Sequence, residues 1–258
     1  MKVIALHTLF TGKNFLDEEK IHSTNSRLAE LSAEKRLPEG TVVRASYQES
    51  GKGYSGNTWE SEPGKNLLLS ILYYPVFLPV HRQFLLNQMV CVAVASTLQG
   101  YLKETCKIKW PNDLYVDDQK LGGILIENTI SGSQLSQSIV GIGLNLNQET
   151  FPAHLQNPVS LKMVSGKEIH LDLFTANLLE NLDAAYLKLQ AAVAYQETGA
   201  LQTDYMGLLY RSEELHEYIY REQRVKAKII GINPEGKLLL QAGNRCLACN
   251  FKEIRYVI

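Results

Sequence analysis

The sequence predicts an α+β domain followed by a small all-β domain. As far as about residue 212, apolar strand-like segments alternate with helical segments of amphipathic pattern. From residue 213 onwards, short strand-like runs are separated by NPEG and AGN turns. We therefore expect one domain over residues 1–212 and a second, barrel-like domain of about five strands over residues 213–258.

Periodicity, β-branched content and turn residues give the elements of the first domain. Thr24 or Asn25 is expected to cap the first helix, and Gly100 to end the second. Pro75 ends one strand, because proline cannot continue the ladder of hydrogen bonds. Helices are predicted at 24–36, 81–102, 171–195 and 197–210. Strands are predicted at 41–47, 66–75, 106–110 and 136–147, with a hairpin over 114–128 and an irregular segment at 148–170.

Composition excludes several classes of protein. The 258 residues are 45% hydrophobic and 21% charged with a formal net charge of -1, which argues against a dedicated nucleic-acid binder. No apolar run reaches the ~18 residues that span a bilayer, and we expect no signal peptide in the N-terminal stretch MKVIALHTLFTGKNF. Four cysteines do not make a disulfide framework in a chain of this length, so we predict a cytoplasmic protein with free thiols.

Cys246 and Cys249 form a CxxC motif within the strand-like run RCLACNF. A zinc site needs a second pair of ligands, and the sequence has no other CxxC and no HxxxH. A redox-active pair would stand at the start of a helix. We interpret the two cysteines as small buried residues of the second domain.

The segment QESGKGYSGNTW, residues 48–59, is rich in glycine. Its Lys52, Tyr54 and closing Trp59 stand among Gly51, Gly53 and Gly56. By itself the segment fits either a flexible surface turn or a loop that wraps a phosphate. Upstream, the HSTN segment places Ser23, Thr24 and Asn25 at a helix start. They suit either a small polar or anionic ligand or plain N-capping.

The segment KWPNDLYVDDQKLGG, residues 109–123, places polar groups at a strand end. Pro111 interrupts the ladder, and Asn112 and Asp113 follow where the strand opens. Lys120 lies across the hairpin turn. It is either a point charge for a carboxylate or phosphate in a cleft, or a solvated turn lysine.

Two glycines lie inside the apolar run IVGIGLNLN, residues 139–147. Glycine in a strand interior is costly unless another group approaches closely, so Gly141 and Gly143 predict a close contact. Asn145 and Asn147 share one face of this strand by the two-residue period. Asn145 either reaches a ligand or is a polar strand end.

Taken in order, HSTN, YQESGKGYSGNTW, KWPNDLYVDDQKLGGIL and GIGLNLN resemble the biotin–protein ligase family, from about residue 20 to the C-terminus. The resemblance implies a mixed sheet with flanking helices, related to class II aminoacyl-tRNA synthetases, followed by an SH3-like barrel. It implies that biotin is activated with ATP and Mg²⁺ to biotinyl-5′-adenylate and passed to one lysine of a carboxyl carrier domain.

The resemblance also assigns roles to residues. It implies a catalytic part for Lys120, Lys52 and Asp113. It implies biotin contacts for Ser23, Thr24, Asn25, Gln48, Gly51, Lys52, Gly53, Tyr54 and Lys120. It implies nucleotide contacts for Trp59, Lys109, Asn112 and Asn145, and leaves the Mg²⁺ ligands open.

The glycine loop departs from the family pattern G-R-G-R-x-G-R-x-W, because Lys52 is the one cation where that pattern has three. Tyr54 stands where an arginine is usual. We therefore expect this loop to close more by packing than by charge, and Tyr54→Ala to speed escape of the adenylate.

Some twenty residues precede HSTN, too few for the winged helix-turn-helix of bifunctional members. We therefore expect no specific DNA binding, while family precedent allows a homodimer through sheet edges. Two alternatives remain open: a lipoate or octanoate ligase of the same fold, and a non-catalytic sensor of biotin or nucleotide.

Overall fold

The computed structural model describes residues 6–257, so the first five residues of the N-terminal stretch lie outside it, and with them part of the signal-peptide expectation. The helices are α1 (Thr24–Glu34), α2 (Phe84–Gln99), α3 (Leu161–Ser165), α4 (Leu171–Ala194) and α5 (Gly199–Gly207). Within the described residues, no helix is both long enough and apolar enough to cross a membrane.

Seven strands form the main sheet, in the order β1-β2-β5-β9-β8-β7-β6. β1 and β2 are parallel and every other neighbouring pair is antiparallel, so the sheet is mixed. The strands are β1 (Phe15–Ile21), β2 (Val42–Gln48), β5 (Leu67–Tyr73), β6 (Lys107–Lys109), β7 (Asp113–Val116), β8 (Gln119–Ser131) and β9 (Gln134–Leu144). A separate two-stranded ribbon pairs β3 (Gly51–Lys52) with β4 (Thr58–Trp59).

Helices lie on both faces of the main sheet. As a result, β5 is buried along its whole length. Leu69, Ile71 and Tyr73 face the large core shared with α2 and α4. Leu72 points the other way, into a smaller cluster with Leu28 of α1. Successive side chains of a strand alternate between faces, so Ser70 lies on the α1 side. The candidate site is built on that side.

Five antiparallel strands form the C-terminal sheet, which confirms the predicted strand number. They follow the order β13-β12-β11-β10-β14. The strands are β10 (Leu215–Tyr220), β11 (Gln223–Ile232), β12 (Leu238–Ala242), β13 (Arg245–Cys249) and β14 (Ile254–Tyr256). Trp110 joins this sheet to the first part of the chain, since its indole Nε1 donates to Gly236 O at 3.0 Å.

Four local expectations are wrong or incomplete. Ser23 is the N-cap of α1 and makes no side-chain cap bond, because the side chains of Thr24 and Asn25 are engaged elsewhere. Strand β1 was not predicted, since its charged sequence FLDEEKI lies at the sheet edge and is half exposed. The irregular segment contains the short helix α3. Of the two CxxC thiols, Cys249 is buried but Cys246 is exposed.

Candidate functional site

A closed, polar end of the site forms where α1 begins above the main sheet. Thr24 donates to Gln48 Oε1 from its backbone N at 2.7 Å and from its hydroxyl at 3.0 Å. Ser70 Oγ lies 2.7 Å from Thr24 Oγ1 and 2.5 Å from Asn25 Oδ1. Asn25 Nδ2 donates to Glu127 Oε2 at 2.7 Å. The result is a preorganised cluster of hydroxyl and amide groups that supplies both donors and acceptors.

The close approach predicted at Gly141 is confirmed. Gly141 pairs with Ser70 across β9 and β5, and a Cβ at Gly141 would collide with the side-chain amide of Asn25. Because Gly141 has no side chain, the amide of Asn25 at the start of α1 can pack directly against the sheet. Buried hydroxyl and amide groups that are satisfied in this way hold one geometry.

The glycine loop forms a lid, residues 51–59, over this cluster. β3 and β4 pair within it, and Gly53 N donates to Asn57 O at 2.7 Å, so the lid is a small hairpin with a one-turn tip at Tyr54–Gly56. Gly56 has φ +88°, which an L side chain rarely adopts. Lys52 Nζ lies 3.8 Å from Glu127 Oε1, and both side chains are about half exposed. The glycine loop thus forms a hydrogen-bonded hairpin in this structure.

Trp59, the last residue of the lid, packs on the sheet. A Cβ at Gly143 would stand 2.7 Å from Trp59 Cε2, so this second glycine also answers a close approach. The indole Nε1 is shielded from solvent and has no hydrogen-bond partner in the described part of the chain. Lys120 Nζ lies 5.9 Å from the centroid of the same ring. Trp59 therefore links the lid to the charged side of the cleft.

Lys120 forms an ion pair with Asp113, in which Nζ and Oδ1 are 2.8 Å apart and each side chain is about one-third exposed. A β-bulge produces this arrangement. Leu114 pairs with Gly122 but Tyr115 pairs with Lys120, so one residue of β8 is extra. The bulge turns Lys120 to the face that carries Asp113, whereas a regular strand would point it to the other face. The alternative of a turn lysine held only by solvent is thereby excluded.

The KWPND segment lines an adjoining, larger cleft between the lid and the C-terminal sheet. Lys109 Nζ lies 3.0 Å from Tyr115 Oη and 5.2 Å from the ring centroid of Tyr256. Burial lowers the pKa of Lys109. Asn112 is buried and donates through Nδ2 to Ile124 O, which fixes the start of β7 on β8.

Asn145 is not brought to either cleft. It lies just beyond the end of β9, 4% exposed, and its Nδ2 donates to Val159 O at 3.2 Å. Its backbone N donates to Leu121 O at 2.9 Å. Asn147 likewise bonds the backbone of Ile169. In this structure both asparagines tie down the segment after the strand, and the geometry gives no support to a ligand contact of Asn145.

The inner cleft lies between the start of α1, the lid and strands β8 and β9. Ten of the residues predicted for the site line it together: Ser23, Thr24, Asn25, Gln48, Lys52, Gly53, Tyr54, Trp59, Asp113 and Lys120. Gly51 lies behind Trp59, where a Cβ would collide with the Trp59 carbonyl. The cleft thus runs from a polar, closed end to an ion pair, beneath the lid.

Sequence reasoning missed Ser70 and Glu127, which complete the polar end. Ser70 had a usable signal, since it is the lone small polar residue in the apolar run LLLSILY. Glu127 had a weaker one, because it lies two and four residues from Leu125 and Gly123 and so shares their face of β8.

No group of three or more His, Cys, Asp or Glu side chains that could hold a metal occurs among residues 6–257. Asp113 is the carboxylate beside Lys120, and it already forms an ion pair with that lysine. Within residues 6–257 there is therefore no complete protein cage for a divalent cation.

Comparison with known proteins gives the family. Residues 18–145 match the model of the biotin/lipoate A/B protein ligase family. The bifunctional ligase/repressor BirA of Escherichia coli is 31% identical over 230 residues, covering 86% of this chain and 67% of that protein. BirA of Bacillus subtilis is 28% identical over 242 residues, covering 92% and 72%.

A similar solved structure supports the fold. The biotin protein ligase of Aquifex aeolicus, solved in complex with biotin and ATP, superposes with a TM-score of 0.77 at 22% identity, covering 95% of this chain and all of that one. The α+β architecture, the order of the motifs and these similarities agree, and the chain belongs to the biotin–protein ligase family.

Proposed function

We propose that this protein activates biotin with ATP to biotinyl-5′-adenylate and then transfers biotin to a lysine of a carboxyl carrier domain. One observation carries the proposal. A closed hydrogen-bonding end and a lysine–carboxylate pair lie in a single cleft beneath a glycine-rich lid. The similar biotin protein ligase of Aquifex aeolicus, solved with biotin and ATP, supports the same reaction.

The polar end suits the ureido ring of biotin. That ring offers N–H donors and a C=O acceptor, so it needs acceptors and donors in return. Thr24, Asn25 and Gln48 supply both, and Ser23 lines the same end. Because Ser70 and Glu127 already hold these side chains in place, little ordering is needed when the ring binds.

In the first step, a carboxylate oxygen of biotin attacks the α-phosphorus of ATP. The bond from that phosphorus to its bridging oxygen breaks, and pyrophosphate leaves. Two anions must meet, so fixed positive charge and positioning supply the catalysis. In our proposal Lys120 contacts the reacting carboxylate and Lys52 of the lid the acyl phosphate, while Asp113 holds Lys120 in place.

In the second step, the neutral amine of the carrier lysine attacks the acyl carbon. The bond from that carbon to the phosphate oxygen breaks, AMP leaves with the bonding electrons, and the nitrogen loses a proton as the amide forms. No covalent enzyme nucleophile is required. Trp59, Lys109 and Asn112 are proposed to flank the nucleotide, since they line the larger adjoining cleft. Asn145 is also proposed to contact the nucleotide. Its side-chain amide now donates to Val159 O, so the residues after β9 would have to move for that contact to form.

Magnesium would arrive as part of Mg·ATP. Mg²⁺ in such sites is held by one or two carboxylates together with substrate phosphates and water. The described residues fit that mode with one carboxylate, Asp113, which would contact the ion in addition to Lys120, and they do not fit a cage made by protein alone. Bound to ATP, the ion would neutralise phosphate charge.

The decisive experiment is biotin-dependent exchange of pyrophosphate into ATP, measured in parallel with biotin, lipoate and octanoate. Biotin alone should support exchange. Exchange with lipoate or octanoate instead would favour the alternative ligase, although an alkyl chain would leave the buried polar end without partners, which costs binding energy. Transfer of biotin to an isolated carrier domain then separates the enzyme from a non-catalytic sensor.

The carrier is proposed to be the carboxyl carrier domain of a biotin-dependent carboxylase. A homodimer, the absence of specific DNA binding and a cytoplasmic location stay predictions. Sedimentation with and without biotin and ATP, a gel shift with genomic fragments and cell fractionation test them in turn. A sequence-selective complex with DNA at physiological salt would overturn the second.

A further inference from the structure

The tip of the lid contacts the C-terminal sheet through two aromatic rings. Tyr54 and Phe251 have ring centroids 4.2 Å apart and an interplanar angle of 76°, an edge-to-face pair. Tyr54 is 40% exposed, so its ring is not buried by the lid itself. Edge-to-face pairs are favourable because the positive edge of one ring meets the negative face of the other.

Phe251 is a fixed partner for the lid, because the turn that carries it is braced. Glu253 accepts hydrogen bonds from Asn250 N at 2.8 Å and from Arg221 Nη2 at 2.7 Å. Phe251 also packs 6.2 Å from the ring of Trp110, which in turn is bonded to Gly236. Lid, KWPND segment and C-terminal sheet thus meet at one aromatic group.

The other contacts described for the lid are either weak or do not involve its tip. Lys52 and Glu127 form a half-exposed pair at 3.8 Å, and such surface pairs contribute little once solvent screens them. Trp59 anchors the end of the lid on Gly143, not its tip. The hydrogen bond between Gly53 and Asn57 is internal to the lid. Among the described contacts, the ring pair of Tyr54 and Phe251 is therefore the one that joins the tip of the lid to the C-terminal part of the chain.

We propose that Phe251 is a latch that holds the lid closed over the reactive adenylate, a role that rests on the proposed function. The lid has one cation, Lys52, so charge alone gives it little hold on an acyl phosphate. The ring of Phe251, in the turn between β13 and β14, supplies an apolar contact that keeps the lid closed. Phe251 is accordingly a positioning residue that acts through Tyr54, and the C-terminal sheet controls how long the intermediate is retained.

The first test does not depend on catalysis. Trypsin can cut after Lys52 when the lid opens, giving fragments 1–52 and 53–258 that mass spectrometry identifies. Phe251→Ala and Tyr54→Ala should each raise the initial cleavage rate at this bond by about two- to tenfold, the range expected for losing one aromatic pair. The double variant should cleave no faster than the single ones. Phe251→Tyr keeps a ring and should behave as wild type.

Tyr195→Ala is the control, since it removes an aromatic ring that is 77% exposed at the end of α4 and contacts neither the lid nor Phe251. It should leave cleavage after Lys52 unchanged. Should Phe251→Ala prove unstable, Phe251→Leu keeps the apolar bulk and removes the ring edge. Equal cleavage of Phe251→Leu and wild type would overturn the latch.

The second test measures escape of the adenylate as biotin labelling of bystander lysines on serum albumin. Phe251→Ala should raise the ratio of that labelling to biotin-dependent pyrophosphate exchange by about two- to tenfold. Unchanged labelling in an enzyme with normal exchange would overturn the latch and leave the proposed function intact. Absence of exchange in the wild-type protein would instead overturn the proposed function, and the trypsin test would still judge the latch.

Discussion

The indole ring of Trp59 rests on the backbone of Gly143, so closely that a Cβ at position 143 would stand 2.7 Å from Trp59 Cε2. The lid can dock on the sheet at its Trp59 end because the strand below has no side chain there. The same ring lies 5.9 Å from Lys120 Nζ. Lid position and the charged side of the cleft are therefore coupled through one residue.

Gly143→Ala should move Trp59 off the sheet and misplace the lid. We expect the kcat/KM for ATP in pyrophosphate exchange to fall at least about tenfold, since small displacements of positioned groups are costly in catalysis. Gly231→Ala is the matched control, because a Cβ there meets only Leu239 at 3.7 Å. Normal exchange by Gly143→Ala would show that the contact between Trp59 and the sheet is dispensable.

Lys120→Gln should lower the rate of exchange by about 10²–10³-fold, the range seen when one group that stabilises transition-state charge is removed. The variant keeps length and polarity but loses the charge opposite Asp113. Lys103→Gln, at an exposed position, should exchange normally. Exchange by Lys120→Gln within threefold of wild type would remove Lys120 from the catalytic group.

Ser70→Ala should raise the KM for biotin by about fivefold, equivalent to the ~1 kcal/mol of one hydrogen bond, and leave the KM for ATP unchanged. The reason is that Thr24 and Asn25 lose the hydroxyl that orients them. Ser138→Ala removes an equally buried hydroxyl of the same sheet, one that bonds Asn128, and serves as control. A parallel rise in both KM values would point to general disruption of the sheet.

Asp183 on α4 should make stability depend on pH. Burial by itself would raise its pKa, but hydrogen bonds from the N–H groups of Leu9, Thr11 and Phe10 outweigh it and hold the pKa below the usual value. A carboxylate with a lowered folded-state pKa contributes stability above its unfolded pKa of about 3.9, and that contribution is lost as pH falls through the lower folded value.

Asp183→Asn should therefore lower the free energy of unfolding by about 1–3 kcal/mol at pH 7, because the amide meets backbone N–H groups with a donor of its own. Urea unfolding at pH 7 and near pH 3 measures the free energy of unfolding of the variant and of wild type. The difference between the two free energies should shrink at the lower pH. Asp204→Asn, exposed on α5, should show no difference at either pH. A difference for Asp183→Asn that stays constant across pH would contradict the ionic explanation.

Much of the site could be predicted from the sequence, because its residues belong to short motifs that can be recognised locally. The pair Gly141 and Gly143 could be interpreted as close approaches, since glycine is disfavoured inside a strand without a packing reason. Lys120 remained ambiguous, because the β-bulge that turns it toward Asp113 leaves no mark in hydrophobic periodicity. The nucleotide contact expected of Asn145 stays a prediction: the strand ends one residue before it, and in this structure its side-chain amide donates to Val159 O.

The sequence by itself determined the α+β class, the five strands of the C-terminal sheet and the order of the motifs, because propensity, periodicity and turn chemistry act over a few neighbouring residues. Only the tertiary structure decided what occupies the space above each glycine and which groups complete the polar end. It also decided that Tyr54 of the lid meets Phe251 of the C-terminal sheet. Contacts between residues so far apart in the chain depend on the path of the whole backbone, and no local pattern encodes them.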